Sequence, residues 1–403
     1  MSNQSYLTAQ LDVLEAMSHR LQALRAIALD PEGDTNVYDY AFADFYSGLS
    51  DLAEFSISTA GFSGLNDIHP ESFLYNLCER TAAVFRAPCA RLCLGGTSHS
   101  MLMLIGKILP EWVDRRRTIV LTDVQCHQSV LGGVDIGRWE MCKLSRDYHA
   151  KFGVSAPLTL ESVIKTTKAV GTEKIAALVY NPVSYDGFRN CAQEQDIYNF
   201  CQKNGIKVLC DFAWSPAYSL YPSDNQTASL LDYCDSCASS PHKKGLFPSS
   251  VSVLLFKDRA MTSHVIEAGR LGWFTTSPSY GLLQLIDFRL VQMEMGLITT
   301  ALADVVEVSQ NLRAAFDNIS PYLHCVQPHD VGADYQEPSH ILLSSQESGL
   351  DCRVLCKWLS EHAYTDWEKA SKQTGLFLVS QRHKPLQARI IDDLERALSA
   401  AVF

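Results

Sequence analysis

Four short apolar runs, each ending in polar residues, recur through the middle of the chain at 117–123, 175–181, 207–213 and 251–257. Between them lie stretches of helical periodicity, among them 162–170 and 193–203. Strand-like runs alternating with amphipathic helices dictate a parallel sheet, because each return to the same sheet edge needs a crossover. The fold class expected is therefore α/β. The first thirty residues show helical spacing (Leu11, Leu14, Met17, Leu21, Leu24) before an Asp30-Pro31-Glu32-Gly33 turn. From Pro278 to about Phe316 the pattern reads as long helix. Beyond it, two strand-like pieces (340–344, 376–380) and two helices (352–362, 389–402) predict a small α+β domain. No internal repeat or low-complexity segment interrupts this order. The division expected is an N-terminal helical arm over 1–60, a large domain over 61–310 and a small domain over 311–403.

Charge and composition remove several functions. A formal net charge of −11, with no basic run beyond Arg115-Arg116-Arg117, argues against a nucleic-acid surface. No stretch approaches ~18 consecutive apolar residues, so no membrane span is expected. The start of the chain has no apolar signal core. Its thirteen cysteines then read as reduced thiols in a cytoplasmic setting, and Asn225-Gln226-Thr227 as an idle glycosylation pattern. Cys234-Asp235-Ser236-Cys237 has CxxC spacing without a second pair, and no His-x-His or His-x-x-x-His occurs, so no metal is expected. Cys352 and Cys356 are one helical turn apart, and the aromatic cluster at 38–46 reads as core or dimer interface.

Four segments at strand ends carry chemistry, where open α/β sheets seat ligands. Gly95-Gly96-Thr97-Ser98 leads into an apolar helix and offers backbone N–H groups and hydroxyls to an anion; an ordinary N-cap is the alternative. It lacks the final glycine of a serine-hydrolase elbow. His127 follows the second run in Gln125-Cys126-His127, where a purely structural hydrogen bond is the bland reading. Asp211 ends an apolar strand in Cys210-Asp211-Phe212-Ala213-Trp214, and burying that carboxylate demands a cationic partner: a protonated ring nitrogen or a core arginine. Ser239-Ser240-Pro241-His242-Lys243-Lys244-Gly245 is a polar turn that, alone, would be solvated surface.

The order of these segments resembles the fold-type I pyridoxal 5′-phosphate (PLP) enzymes, and within them the ornithine/lysine/arginine decarboxylase group. Asn181-Pro182-Val183-Ser184-Tyr185-Asp186-Gly187 looks like that group's Thr-Tyr-Asp-Gly segment, and Thr275-Thr276-Ser277-Pro278-Ser279-Tyr280-Gly281 like its Thr-Thr-Ser-Pro-x-Tyr-Gly segment. The likeness covers roughly residues 60 to 300 and implies a mainly parallel sheet of the seven-stranded type. It also implies roles. Lys243 carries PLP as an internal aldimine, and Lys244 is a bystander. Asp211 keeps the pyridine nitrogen protonated, His127 stacks on one ring face and Ala213 packs on the other. Gly96, Thr97, Ser98 and Ser240 hold the phosphate, helped by Thr276 or Ser277 from a partner subunit, so a homodimer with shared sites is expected. Ser184 approaches the phenolic oxygen, and His242 lies near the substrate amine unless it merely packs. Trp214 sits on the substrate side, and Arg382 or Arg389 is the candidate for binding a carboxylate, with surface charge as the alternative.

The implied chemistry forms a carbanion or quinonoid at Cα, with α-decarboxylation of a basic amino acid as nearest precedent. An aminotransferase, or a lyase or cyclase of specialised metabolism, uses the same cofactor. A non-catalytic protein of this fold is the remote alternative, against which the intact Lys243, Asp211 and His127 stand. The N-terminal regulatory domain and the longer C-terminal domain of full-length bacterial members find no counterpart, and no motif matches beyond about Leu323.

Overall fold

The computed structural model describes residues 73–222, 229–261, 280–319, 321–345, 348–363, 365 and 367–401. The expected N-terminal arm, the aromatic cluster at 38–46, Thr276, Ser277 and most of their motif lie outside the described residues.

Seven strands form the central sheet: β1 (Cys89–Cys93), β2 (Ile119–Asp123), β3 (Glu140–Leu144), β4 (Ile175–Tyr180), β5 (Lys207–Phe212), β6 (Ser236–Ser239) and β7 (Ser252–Phe256). Their order is β1-β7-β6-β5-β4-β2-β3. From β3 to β6 every neighbour pairs parallel, whereas β7 runs antiparallel to both β6 and β1. All but the edge strand β3 are buried along almost their whole length. This burial explains why the sequence showed continuous apolar runs rather than strict alternation.

The pleat divides those runs between two cores. Leu121, Leu178, Val208 and Val253 face one side with Leu77 of α1 (Phe73–Val84), Val163 of α4 (Leu160–Val170) and Ile197 of α5 (Cys191–Lys203). Their neighbours Val120, Val179, Leu209 and Leu254 face the other with Met101 of α2 (Gly96–Met103) and Val130 of α3 (Gln128–Gly137). Each such side chain contributes about 1.5–3 kcal/mol on full burial. Asn190 caps α5 by accepting from Gln193 N–H at 2.9 Å, and Thr159 caps α4 through Ser162 N–H at 3.3 Å.

The long helical pattern after Pro278 is two helices, α6 (Tyr280–Glu294) and α7 (Leu297–Ile319). They part at Gly296, whose φ of +75° lies in the left-handed region that ends helices. A second, antiparallel sheet follows, ordered β8-β9-β11-β10, from β8 (His324–Cys325), β9 (His340–Ser344), β10 (Lys369–Ala370) and β11 (Thr374–Leu378). Helices α7, α8 (Cys352–Ala363) and α9 (Gln387–Ala401) cover it around Phe316, Leu355, Phe377 and Leu394. Among the described residues no helix is long and apolar enough to cross a membrane.

Candidate active site

Loops leaving the carboxyl ends of β1, β2, β4, β5 and β6 meet around a cavity of about 380 Å³. Because β7 is antiparallel, its amino end reaches the same place, and Ser249 and Ser250 line the cavity.

At one end lie Gly96, Thr97 and Ser98, the first residues of α2. Gly96 has a φ of +74°, which glycine adopts without strain. The first turn of a helix leaves N–H groups without intrahelical acceptors. Thr97 and Ser240 share a hydrogen bond between buried hydroxyls, joining this turn to the loop after β6. Beneath them Ser100 Oγ and Ser252 Oγ lie 2.7 Å apart.

The loop after β2 is set by Asp123, which is buried and ion-paired with Arg146. Arg146 also donates to the Asn181 carbonyl at 2.6 Å, and Asp123 accepts from Gln125 N–H at 2.9 Å. His127 caps α3, its Nδ1 accepting from Ser129 N–H at 3.2 Å, which assigns the ring hydrogen to Nε2.

Asp211, 4% exposed, accepts from Ala213 N–H at 2.9 Å. Burial pushes its carboxyl above the usual carboxylate range, while that N–H and the charge of Lys243 pull the other way. Trp214, two residues on from Phe212, forms the wall. Its Nε1 donates to the Tyr185 carbonyl at 2.9 Å, its ring stacks on Tyr185 at 4.7 Å and 9°, and the His340 ring meets it edge-on at 5.7 Å. The Nζ atoms of Lys243 and Lys244 lie 5.1 and 5.3 Å from the Trp214 ring centre. His242 Nδ1 donates to the Val251 carbonyl at 2.9 Å, leaving Nε2 free of that bond.

Gly96, Thr97, Ser98, His127, Asp211, Ala213, Trp214, Ser240, His242 and Lys243 thus converge on one cavity. Among the described residues, Ser184, Arg382 and Arg389 were singled out in the sequence but do not line it. The buried Ser184 turns its Oγ to accept from Phe188 N–H at 3.1 Å, closing a local turn. Arg382 is exposed on a short 3₁₀ turn. Arg389 is exposed on α9, 3.5 Å from Asp393. Asn181, Val183 and Tyr185 line the cavity instead, and the sequence signal was present, since all three belong to the segment that resembles Thr-Tyr-Asp-Gly. Gln125 and Ser129, which bracket His127, also line it. Lys244 is not a solvated bystander: it is part-buried and donates to Ser339 Oγ at 2.8 Å. Among the described residues no group of His, Cys, Asp and Glu could hold a metal ion; Cys234 and Cys237 are buried in the core.

Residues 36–369 match the family described as Orn/Lys/Arg decarboxylase, major domain. No curated protein sequence matches. Among solved structures, the constitutive lysine decarboxylase of Escherichia coli is similar with a TM-score of 0.69 and 19% identity, over 88% of this chain and 55% of that one. The chain therefore spans about half the length of the lysine decarboxylases it matches. A sphingosine-1-phosphate lyase of Burkholderia pseudomallei gives 0.67 and 14%, over 100% of this chain and 92% of that one. A serine palmitoyltransferase solved with PLP gives 0.62 and 12%, over 88% and 84%. At these identities the likeness is one of fold, that of fold-type I PLP-dependent enzymes.

Proposed function

The chain belongs to the Orn/Lys/Arg decarboxylase major-domain family, and from that membership we propose that it is a PLP-dependent enzyme that removes the α-carboxylate of a basic amino acid. One observation carries the reading: Lys243, the buried Asp211 and the Thr97–Ser240 hydroxyl pair surround a single cavity. Their chemistry fits the group. A buried carboxylate with a burial-raised pKa is costly alone, and a ring N–H is the partner that would relieve it. The helix start with its hydroxyls suits a phosphate, and a primary amine lining the same cavity suits an aldehyde.

PLP, when bound, supplies an electron sink for the pair left on Cα when a substituent departs. Lys243 would hold it covalently and Asp211 would keep the ring nitrogen protonated. Gly96, Thr97, Ser98 and Ser240 would hold its phosphate, with Thr276 or Ser277 of a partner subunit closing the cradle. His127 would cover one ring face and Ala213 the other. Asn181 and Tyr185 are nearer candidates than Ser184 for the phenolic oxygen, because the Ser184 hydroxyl is engaged with Phe188. His242, its Nδ1 committed to Val251, would turn Nε2 toward the substrate amine. Trp214, braced by Tyr185, would line the substrate side and exclude water. Arg382 and Arg389 drop out as carboxylate ligands, since both are exposed outside the cavity.

The reading extends to organisation: an arm over 1–60, domains over 61–310 and 311–403, and a homodimer with shared sites in the cytoplasm. Loss of a different Cα substituent is the second reading, supported by the match over nearly the full length of a lyase. Incubation with arginine, ornithine, lysine and their hydroxylated relatives, with products followed by mass, separates the two. Carbon dioxide supports decarboxylation, a keto acid supports transamination, and loss of water or a side-chain group supports elimination or cyclisation. If no basic amino acid alters the cofactor's absorbance, the substrate assignment fails while the cofactor assignment stands.

A further inference from the structure

Lys243 and Lys244 are neighbours in a short 3₁₀ turn, Pro241–Lys244, yet their side chains serve different surroundings. Lys243 lines the cavity. Lys244 reaches the turn that leads into β9 of the second sheet, where its Nζ donates to Ser339 Oγ at 2.8 Å. Ser339 donates in turn to Glu337 Oε1 at 3.4 Å, and Tyr335 donates to Glu337 Oε2 at 3.4 Å. Glu337 is 0% exposed and Ser339 2%. The next residue, His340, begins β9 and packs its ring against the edge of Trp214. The turn's other holds include His242 Nδ1 to the Val251 carbonyl, Ser240 to Thr97, and Arg289 of α6 to the carbonyls of Gly245 and Leu246. Lys244 alone among these ties the turn to the second sheet.

We propose that Lys244 is a positioning residue: its buried link through Ser339 to Glu337 fixes the lysine-bearing turn against the second sheet and so sets where Lys243 Nζ stands beside Trp214. The inference rests on the reading of Lys243 as the cofactor's lysine. A four-residue turn has few hydrogen bonds of its own, so its orientation depends on what its side chains grip. A part-buried ammonium that reaches a buried carboxylate through a single hydroxyl is a firm grip, because losing the ammonium leaves that carboxylate away from water without its counter-charge. The electrostatics agree. Burial drives the Lys244 ammonium down and the Glu337 carboxyl up, and each charge offsets the other's shift. Misplacing a reacting atom by about an ångström costs about 100-fold in rate, so loss of the grip should be felt at Lys243 without any change in Lys243 itself.

The test compares the parent with Lys244→Met, Glu337→Gln and the double variant. Each is stripped of cofactor with hydroxylamine, then given PLP while the growth of visible absorbance is timed and Tm is measured alongside. Lys244→Met should capture PLP about tenfold or more slowly and melt lower, because Glu337 is left buried without its counter-charge. The double variant, with neither charge, should recover most of the lost Tm yet still capture slowly. If Lys244→Met does not fold, the double variant carries the comparison. Capture at the parent's rate in the double variant, or capture that returns in step with Tm, overturns the positioning role. A parent that captures no PLP overturns the functional reading beneath it.

Discussion

Thr97 and Ser240, 143 residues apart in the chain, hydrogen-bond hydroxyl to hydroxyl at one end of the cavity. The bond joins the amino end of α2, which follows β1, to the turn that carries Lys243. Both hydroxyls are buried, and both are proposed phosphate ligands.

Their pairing makes the effects of removing them unequal. Either Thr97→Ala or Ser240→Ala should weaken PLP binding by roughly one to two orders of magnitude, the worth of one hydrogen bond to a charged group. Each single change also releases the other hydroxyl, so the double variant should lose less than the summed single effects. Equilibrium titration of the four proteins with PLP reads this. Strict additivity would mean the two hydroxyls act independently.

Asp211 should reveal itself in two measurements. Turnover of the folded Asp211→Asn variant should fall by roughly 10²–10⁴-fold, the range for a misplaced proton. Stability supplies the second. Burial raises the Asp211 pKa in the folded protein, so the folded chain holds this proton more tightly than the unfolded one. Its stabilisation is complete below the ordinary carboxylate range and is lost as pH rises from there through the raised value. Asparagine carries no such penalty. The Tm of cofactor-free Asp211→Asn minus that of the cofactor-free parent should therefore increase as pH rises above the ordinary carboxylate range. A flat difference would mean that the carboxylate is solvated.

Much of this site was legible because it lies at strand ends. The runs at 117–123, 175–181, 207–213 and 251–257 fall on β2, β4, β5 and β7, and the spacing at 162–170 and 193–203 falls within α4 and α5. His127, Asp211 and Lys243 each follow or end a strand, so order along the chain sufficed to bring them together. Side chains whose partners lie far off in sequence were not legible. Lys244 reads as half of an exposed pair until Ser339, 95 residues away, is seen beside it. Ser184 sits one residue from Tyr185, and only the local turn with Phe188 decides which of them reaches the cavity. Arg382 follows a strand as a ligand might, but a 3₁₀ turn carries it outward. The break at Gly296 was hidden because apolar residues continue on both sides of it.

Assembly is open to direct measurement. The segment 275–280 resembles the part of this family's fold that reaches a neighbouring subunit, and a twofold-symmetric homodimer or a multiple of it is expected. Light scattering at assay concentration should return at least twice the chain mass of 44.8 kDa. An active monomer would remove the partner's Thr276 and Ser277 from the phosphate cradle.

The identity of the cofactor lysine is the centre of the account, and borohydride trapping tests it most directly. The purified protein should be yellow, and reduction should abolish the visible band and leave the cofactor's mass on the peptide containing Lys243. Lys243→Ala should have no reducible band, whereas Lys244→Ala should retain one at equilibrium. Reducible colour that persists in Lys243→Ala, or the trapped mass on Lys244, would contradict the account.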